Sequence, residues 1–199
     1  MKQAQVFQFK IVLNQISPSV WRRIIVPSDY TFWDLHIAIQ DAMGWQDCHL
    51  HEFRIPDPRI DSQLSIGIPD KDIVDDPQFL ASWEIAIGEL FSHANSEAIY
   101  IYDFGDWWEH IVSFEDLSNP QPSIAYPVCV AGERACPPEN SGGPHSYQLF
   151  IEAMEDPNHE SHQMYREWFV GEFDAEKFDP AEVEFDDPLA RWDLAIGGQ

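Results

Sequence analysis

Alternating and continuous apolar runs divide the chain into short strands and a few amphipathic helices. Val6 to Leu13 alternates at first and then turns continuously apolar, which predicts a strand with at least one buried face. Ser17-Pro18 breaks it, and Val20 to Val26 forms a second strand ended by Pro27. From Thr31 the period changes: Phe32, Leu35, His36, Ile39 and Met43 recur at the spacing of one helical face. Thr31 and Asp34 are placed as a capping box with Asp in place of Glu, and Gly44 stands just past the helix end. His36 lies on the apolar stripe, where a core histidine with satisfied hydrogen bonds is the expectation. His49 to Ile55 predicts a third strand, with His49 and His51 projecting from one face.

Residues 56–77, punctuated by Pro, Asp and Gly, read as a long irregular excursion. Phe79 to Phe91 is ambiguous, alternating like a strand before a short turn of helix at Gly88 to Phe91. The densest β pattern runs from Ala98 to Phe114, with β-branched and aromatic residues on both sides of Gly105-Asp106. A Gly-first two-residue loop predicts a type II′ hairpin with Asp103 opposite Trp108 and Ile101 opposite His110. Asp103 and His110 then become diagonal neighbours on one face, with Cβ atoms about 7–8 Å apart. Residues 116–146 lack periodicity and read as a loop, followed by short helices at Tyr147 to Met154 and His159 to Phe169. The acidic tail from Asp174 carries Phe178, Val183, Phe185, Leu189, Trp192 and Leu194, so it is expected to dock on the body.

Charge narrows the partners. The chain has 35 acidic and 11 basic residues, net −24, and the excess lies entirely beyond residue 54. Such a surface repels phosphate backbones, and Arg22-Arg23 is too small a basic pair to offset it, which argues against nucleic acid. A protein or peptide partner is electrostatically easier, although a solvated, soluble surface is the plain reading. Three cysteines, Cys48, Cys129 and Cys136, suit a reducing compartment better than a disulfide framework. With no signal-peptide pattern and no long apolar run, the expectation is a cytoplasmic protein with no membrane contact.

Several segments together resemble the plasmid pRiA4b ORF-3 family. They are Val20-Trp-Arg-Arg with Val26-Pro27, Thr31-x-x-Asp-Leu-His36-x-Ala-Ile39, and Gly44-Trp45-x-x-x-His-Leu-His51-x-Phe53. Tyr100-x-Tyr-Asp-Phe-Gly-Asp-x-Trp-x-His110 and Gly132-Glu-Arg-Ala-Cys-Pro-Pro-Glu139 with Gly142-Gly143 follow in order. The resemblance implies an α+β fold, here one domain over 1–180 with a mixed or antiparallel sheet of about five strands and helices on one side. Residues 181–199 form an acidic extension docked on it. It implies an association with mobile elements but no established reaction. A resolvase-like role is disfavoured, because no basic DNA-binding module is present. The chain departs from the family pattern at Asn140-Ser141, where relatives often carry a cysteine. A zinc site built with Cys129 and Cys136 would therefore lack its third thiol.

Two functions from different classes follow. In the first, the protein is a binding or adaptor module whose Trp45, Tyr102, Trp107 and Trp108, with Arg22 and Arg23, meet a protein or peptide partner. In the second, it is a metal-assisted hydrolase. His49, His51 and His110 would ligate a divalent transition metal such as zinc, and Asp103 would ligate or orient. Catalytic candidates are then Asp103, Glu109 and Glu139, the last two as general base. That site requires His49 and His51 to turn the same face as His110.

Overall fold

A computed structural model describes residues 5–59, 62–69 and 79–195. One eight-stranded sheet forms the frame, in the order β5-β4-β3-β6-β7-β1-β2-β8. The strands are β1 (Val6–Leu13), β2 (Trp21–Pro27), β3 (His51–Asp57), β4 (Ser62–Gly67), β5 (Phe79–Ala81), β6 (Glu97–Tyr102), β7 (Trp108–Ser118) and β8 (Val128–Glu133). β4 and β5 run parallel and the other pairs antiparallel. The α+β class holds, but the sheet has eight strands rather than five. β4 and β8 hide inside segments whose Pro and Gly content mimics loop, and their pairing comes from β3 and β2 rather than from local pattern. Residues 70–77 of the expected excursion lie outside the described residues.

Along β1, Phe7, Phe9, Ile11 and Leu13 are buried while Gln8, Lys10 and Val12 are only half-buried, so one sheet face carries the core. That face receives α1 (Phe32–Met43), whose ends are as the sequence predicts. Thr31 and Asp34 cap it reciprocally, and Gly44 closes it at φ 89°, a left-handed conformation that favours glycine. α2 (Ile87–Leu90), α3 (Gly143–Glu155), α4 (His162–Trp168) and α5 (Pro188–Ala195) complete the helices. In the tail, Phe178 packs on the Arg22 guanidinium, and Trp192 meets Trp33 and Trp83. Arg191 pairs with Asp41 and Asp186, fixing the extension across α1. The side chain of Leu194 lies outside the described residues.

The central hairpin differs from the expectation. Tyr102 pairs with Trp108 and Tyr100 with His110, and residues 103–107 form the loop. The two-residue Gly105-Asp106 turn is therefore absent, and Gly105 is not among the glycines with positive φ. Asp103 and Trp107 turn the chain instead, at φ 57° and 58°. The Asp103 carboxylate accepts from the backbone N–H of Gly105 at 2.8 Å and of Asp106 at 3.3 Å. This self-bonding Asp competes with the Gly turn. This one-residue slip turns the β6 side chains over relative to β7, so Ile101 no longer lies opposite His110, and Asp103 sits in the loop rather than diagonal to His110 on a shared strand face. It gathers Ala98, Tyr100, Tyr102, Trp108, His110 and Val112 in the core, and Ile99 and Glu109 face the other way.

Candidate functional site

The motif-bearing segments meet at one end of the sheet, around residues 44–50. His36, Gln40 and Tyr100 are fully buried there. Gln40 donates to the Tyr100 hydroxyl at 2.9 Å. That hydroxyl lies 2.8 Å from His36 Nδ1, and His36 Nε2 lies 2.8 Å from Asp47 Oδ1. A single direction of donation satisfies all of it: Tyr100 gives its proton to Nδ1, and the neutral imidazole donates from Nε2 to Asp47. His36 is thus the satisfied core histidine that its stripe position implies.

Beside this relay, Tyr102 accepts from Cys48 N at 3.0 Å and donates to Glu139 Oε1 at 3.0 Å, and Gln46 N reaches the same oxygen at 2.7 Å. Burial and then the Glu139 carboxylate push the Tyr102 phenol well above its ordinary range. Trp45 donates to Pro137 O at 2.9 Å. Gly142 donates to Asp106 Oδ2 at 2.8 Å. A Cβ on Gly143 would stand 2.7 Å from Asp106 O, so the paired glycines let the start of α3 sit against the hairpin loop.

The proposed ligands are only partly assembled. His49 precedes β3 rather than lying on it, and its Nε2 is 3.5 Å from Asp103 Oδ2 and 3.0 Å from Asn140 Oδ1. His51 stacks on His36 with ring centroids 3.5 Å apart, and neither of its nitrogens has a partner. Burial, then His36, holds its pKa well below the ordinary value. His110 donates from Nδ1 to the Tyr100 carbonyl at 3.3 Å, its Nε2 has no partner, and burial lowers its pKa from 6.5 to about 4. His51 and His110 do share a sheet face, but β6 with Tyr100 and Tyr102 runs between their strands, leaving Cα atoms roughly 11 Å apart. Among the described residues, no three His, Cys, Asp or Glu side chains converge as a metal site. Glu109 points to the opposite sheet face from its neighbour His110 and accepts from Asn14 at 2.7 Å.

Of the aromatic candidates, Trp45, Tyr102 and Trp108 are buried, whereas Trp107 is 41% exposed and lies beside the Arg54 guanidinium. Arg22 is buried, donating to the carbonyls of Ala42, Trp21 and Glu133. It ties α1, β2 and β8 together. Arg23 makes a two-bond pair with Glu115 at 2.7 and 2.9 Å.

A feature that touches the quoted motifs only at Pro27 lies at the other end of β1 and β7. A groove of about 990 Å³ is lined by Phe7, Phe91, Phe114, Leu117, Pro27 and Tyr126, with Asp29, Glu89 and His93 among its polar residues. Four separate chain segments build it. The large concavity and the cluster of chemically active residues are therefore different places.

A family model described as plasmid pRiA4b ORF-3-like protein matches residues 5–182. The uncharacterised protein y4hQ of Sinorhizobium fredii is 34% identical over 193 residues, covering 95% of each chain. A crystal structure of MM3350, a protein of unknown function from Methanosarcina mazei Go1, superposes with a TM-score of 0.86 at 38% identity. That match covers 92% of this chain and 100% of the other.

Proposed function

This chain belongs to the plasmid pRiA4b ORF-3-like family, and from that premise we propose that it is a polypeptide-binding module whose binding face is the groove at the Val6 end of β1. The observation that carries the reading is the groove itself. Its volume fits several residues of a ligand chain, its walls are Phe, Pro, Leu and Tyr, and the motif cluster lies at the far end of the sheet. His36, Gln40 and Tyr100, and beside them Tyr102 and Glu139, meanwhile spend their hydrogen bonds within each group and on residues 46–48, as structural networks do. Three free cysteines suit a cytoplasmic setting for such a module.

The test is selection of an unbiased displayed peptide library on the full chain. Enriched peptides should lose about tenfold in affinity on Leu117→Asp, at the 39% exposed lip of the groove. No enrichment, or enrichment indifferent to that change, overturns the reading. The alternative, metal-assisted hydrolysis, is favoured by one observation, the His49–Asp103 approach, which supplies two ligands where a catalytic zinc takes three from the protein. Stoichiometric zinc in untagged protein, lost in His49→Ala, would establish that alternative and displace the module.

A further inference from the structure

Resting on the binding reading, we propose that the groove's occupant is a polypeptide segment carrying one large apolar side chain flanked by Lys or Arg. The anchor follows from the floor. Phe7 and Phe114 line it and meet edge-on at 4.9 Å. The fully buried Phe9 backs them, 4.9 Å from the lining Phe91 and 5.9 Å from Phe114, which locks the aromatic rings in place. At one wall Gly88 presents no side chain, and a Cβ there would stand 3.0 Å from Ser28 O and 3.7 Å from the Phe7 ring. The missing side chain lets the Ser28 backbone close against this wall beside the Phe7 ring.

The flanks follow from charge. Asp29 and Glu89 line the groove and are exposed, and among the described residues neither Lys nor Arg lines it. Among the described residues neither acid enters a salt bridge, and the one hydrogen bond to Glu89 comes from Ala86 N at 3.3 Å. Arg59 feels the Glu89 charge but is itself paired with Asp57. Tyr30, next to Asp29, has its phenol pushed up to about 12 by burial and then by Asp34, Asp187 and Asp29, so carboxylates face the Asp29 side of this rim. A second copy of this chain would bring its own net charge of −24 against the same acids, and a nucleic acid would bring phosphates. A basic segment meets complementary charge at the rim and an apolar floor beneath.

The test uses three synthetic peptides with one Leu-Phe-Leu centre and flanks of Lys-Arg, Gln or Glu, titrated against the full chain by fluorescence anisotropy. The basic peptide should bind about tenfold tighter than the Gln peptide at about 50 mM salt, and that advantage should shrink severalfold at about 500 mM. The double variant Asp29→Lys with Glu89→Lys should erase the preference, read as the ratio of basic-peptide to Gln-peptide affinity on the same variant. Leu117→Asp should weaken all three. Equal binding of the three flanks, or a preference indifferent to the double variant, overturns the partner class while library selection still upholds a binding module. Failure of all three peptides overturns the inference, and the fate of the binding reading is then decided by the unbiased library alone. Unchanged circular dichroism and melting of the double variant exclude misfolding as the cause, and Asp29→Asn with Glu89→Gln supplies a milder version.

Discussion

The two ends of β7, Trp108 and Leu117, lie about 30 Å apart and carry opposite kinds of surface. At the Trp108 end the chain is dense in recognisable motifs, and the structure closes them into a buried network of Tyr, His, Gln and Glu. At the Leu117 end only Pro27 belongs to a recognisable motif, and the structure leaves an open apolar groove. The difference teaches where local sequence signals come from. Unusual residues gather where backbone geometry and buried polar groups are demanding: a helix cap, a left-handed residue, a tyrosine hydroxyl with two partners. A groove demands only ordinary apolar residues held apart by the surrounding fold.

The contrast breaks most readily at the relay. Tyr100→Phe leaves Gln40 Nε2 and His36 Nδ1 without their buried partner and should cost about 2–4 kcal/mol in urea unfolding. Groove binding should be unaltered. A loss below about 1 kcal/mol would mean the network is not tightly held.

Acid should find the same end next. His110 titrates near 4 when folded against 6.5 ordinarily, so the unfolded chain takes its proton first. Its contribution is complete above about pH 6.5 and is lost as pH falls toward 4, at most about 3 kcal/mol. His51, held low by burial, works in the same direction. Unfolding measured across that window should show the slope, and His110→Leu should flatten it. An unchanged slope would remove His110 from the account.

Asp103→Ala removes the acceptor for two loop N–H groups and the neighbour of His49, and should cost about 1–2 kcal/mol. Gly105→Ala is a finer probe. Gly105 is not in the left-handed region, and its added Cβ would meet only Asp103 Oδ1, at 3.1 Å, so melting should shift by less than about 1 kcal/mol. A larger loss would restore the tight Gly turn. At the groove end, Leu117→Asp should change stability by no more than about 0.5 kcal/mol while reducing peptide binding. A large destabilisation there would mean that the two ends are not separate in kind.

Much of the fold was legible in the residues. Thr31, Asp34 and Gly44 determine α1 because capping acts between residues a few positions apart. Alternation determines β1, and the apolar stripe determines that His36 faces inward. The tertiary structure alone decided the register of β6 on β7, since Asp103 and the aromatic packing of Tyr100, Tyr102 and Trp108 outweigh the preference of Gly105-Asp106 for a tight turn. It also decided that β4 and β8 are strands, that Trp45, Tyr102 and Trp108 lie inside, and that Phe7, Phe91 and Leu117 share a wall. Periodicity and caps are properties of neighbours along the chain, whereas register, strand pairing and a groove depend on residues far apart in sequence that meet only once the sheet has formed.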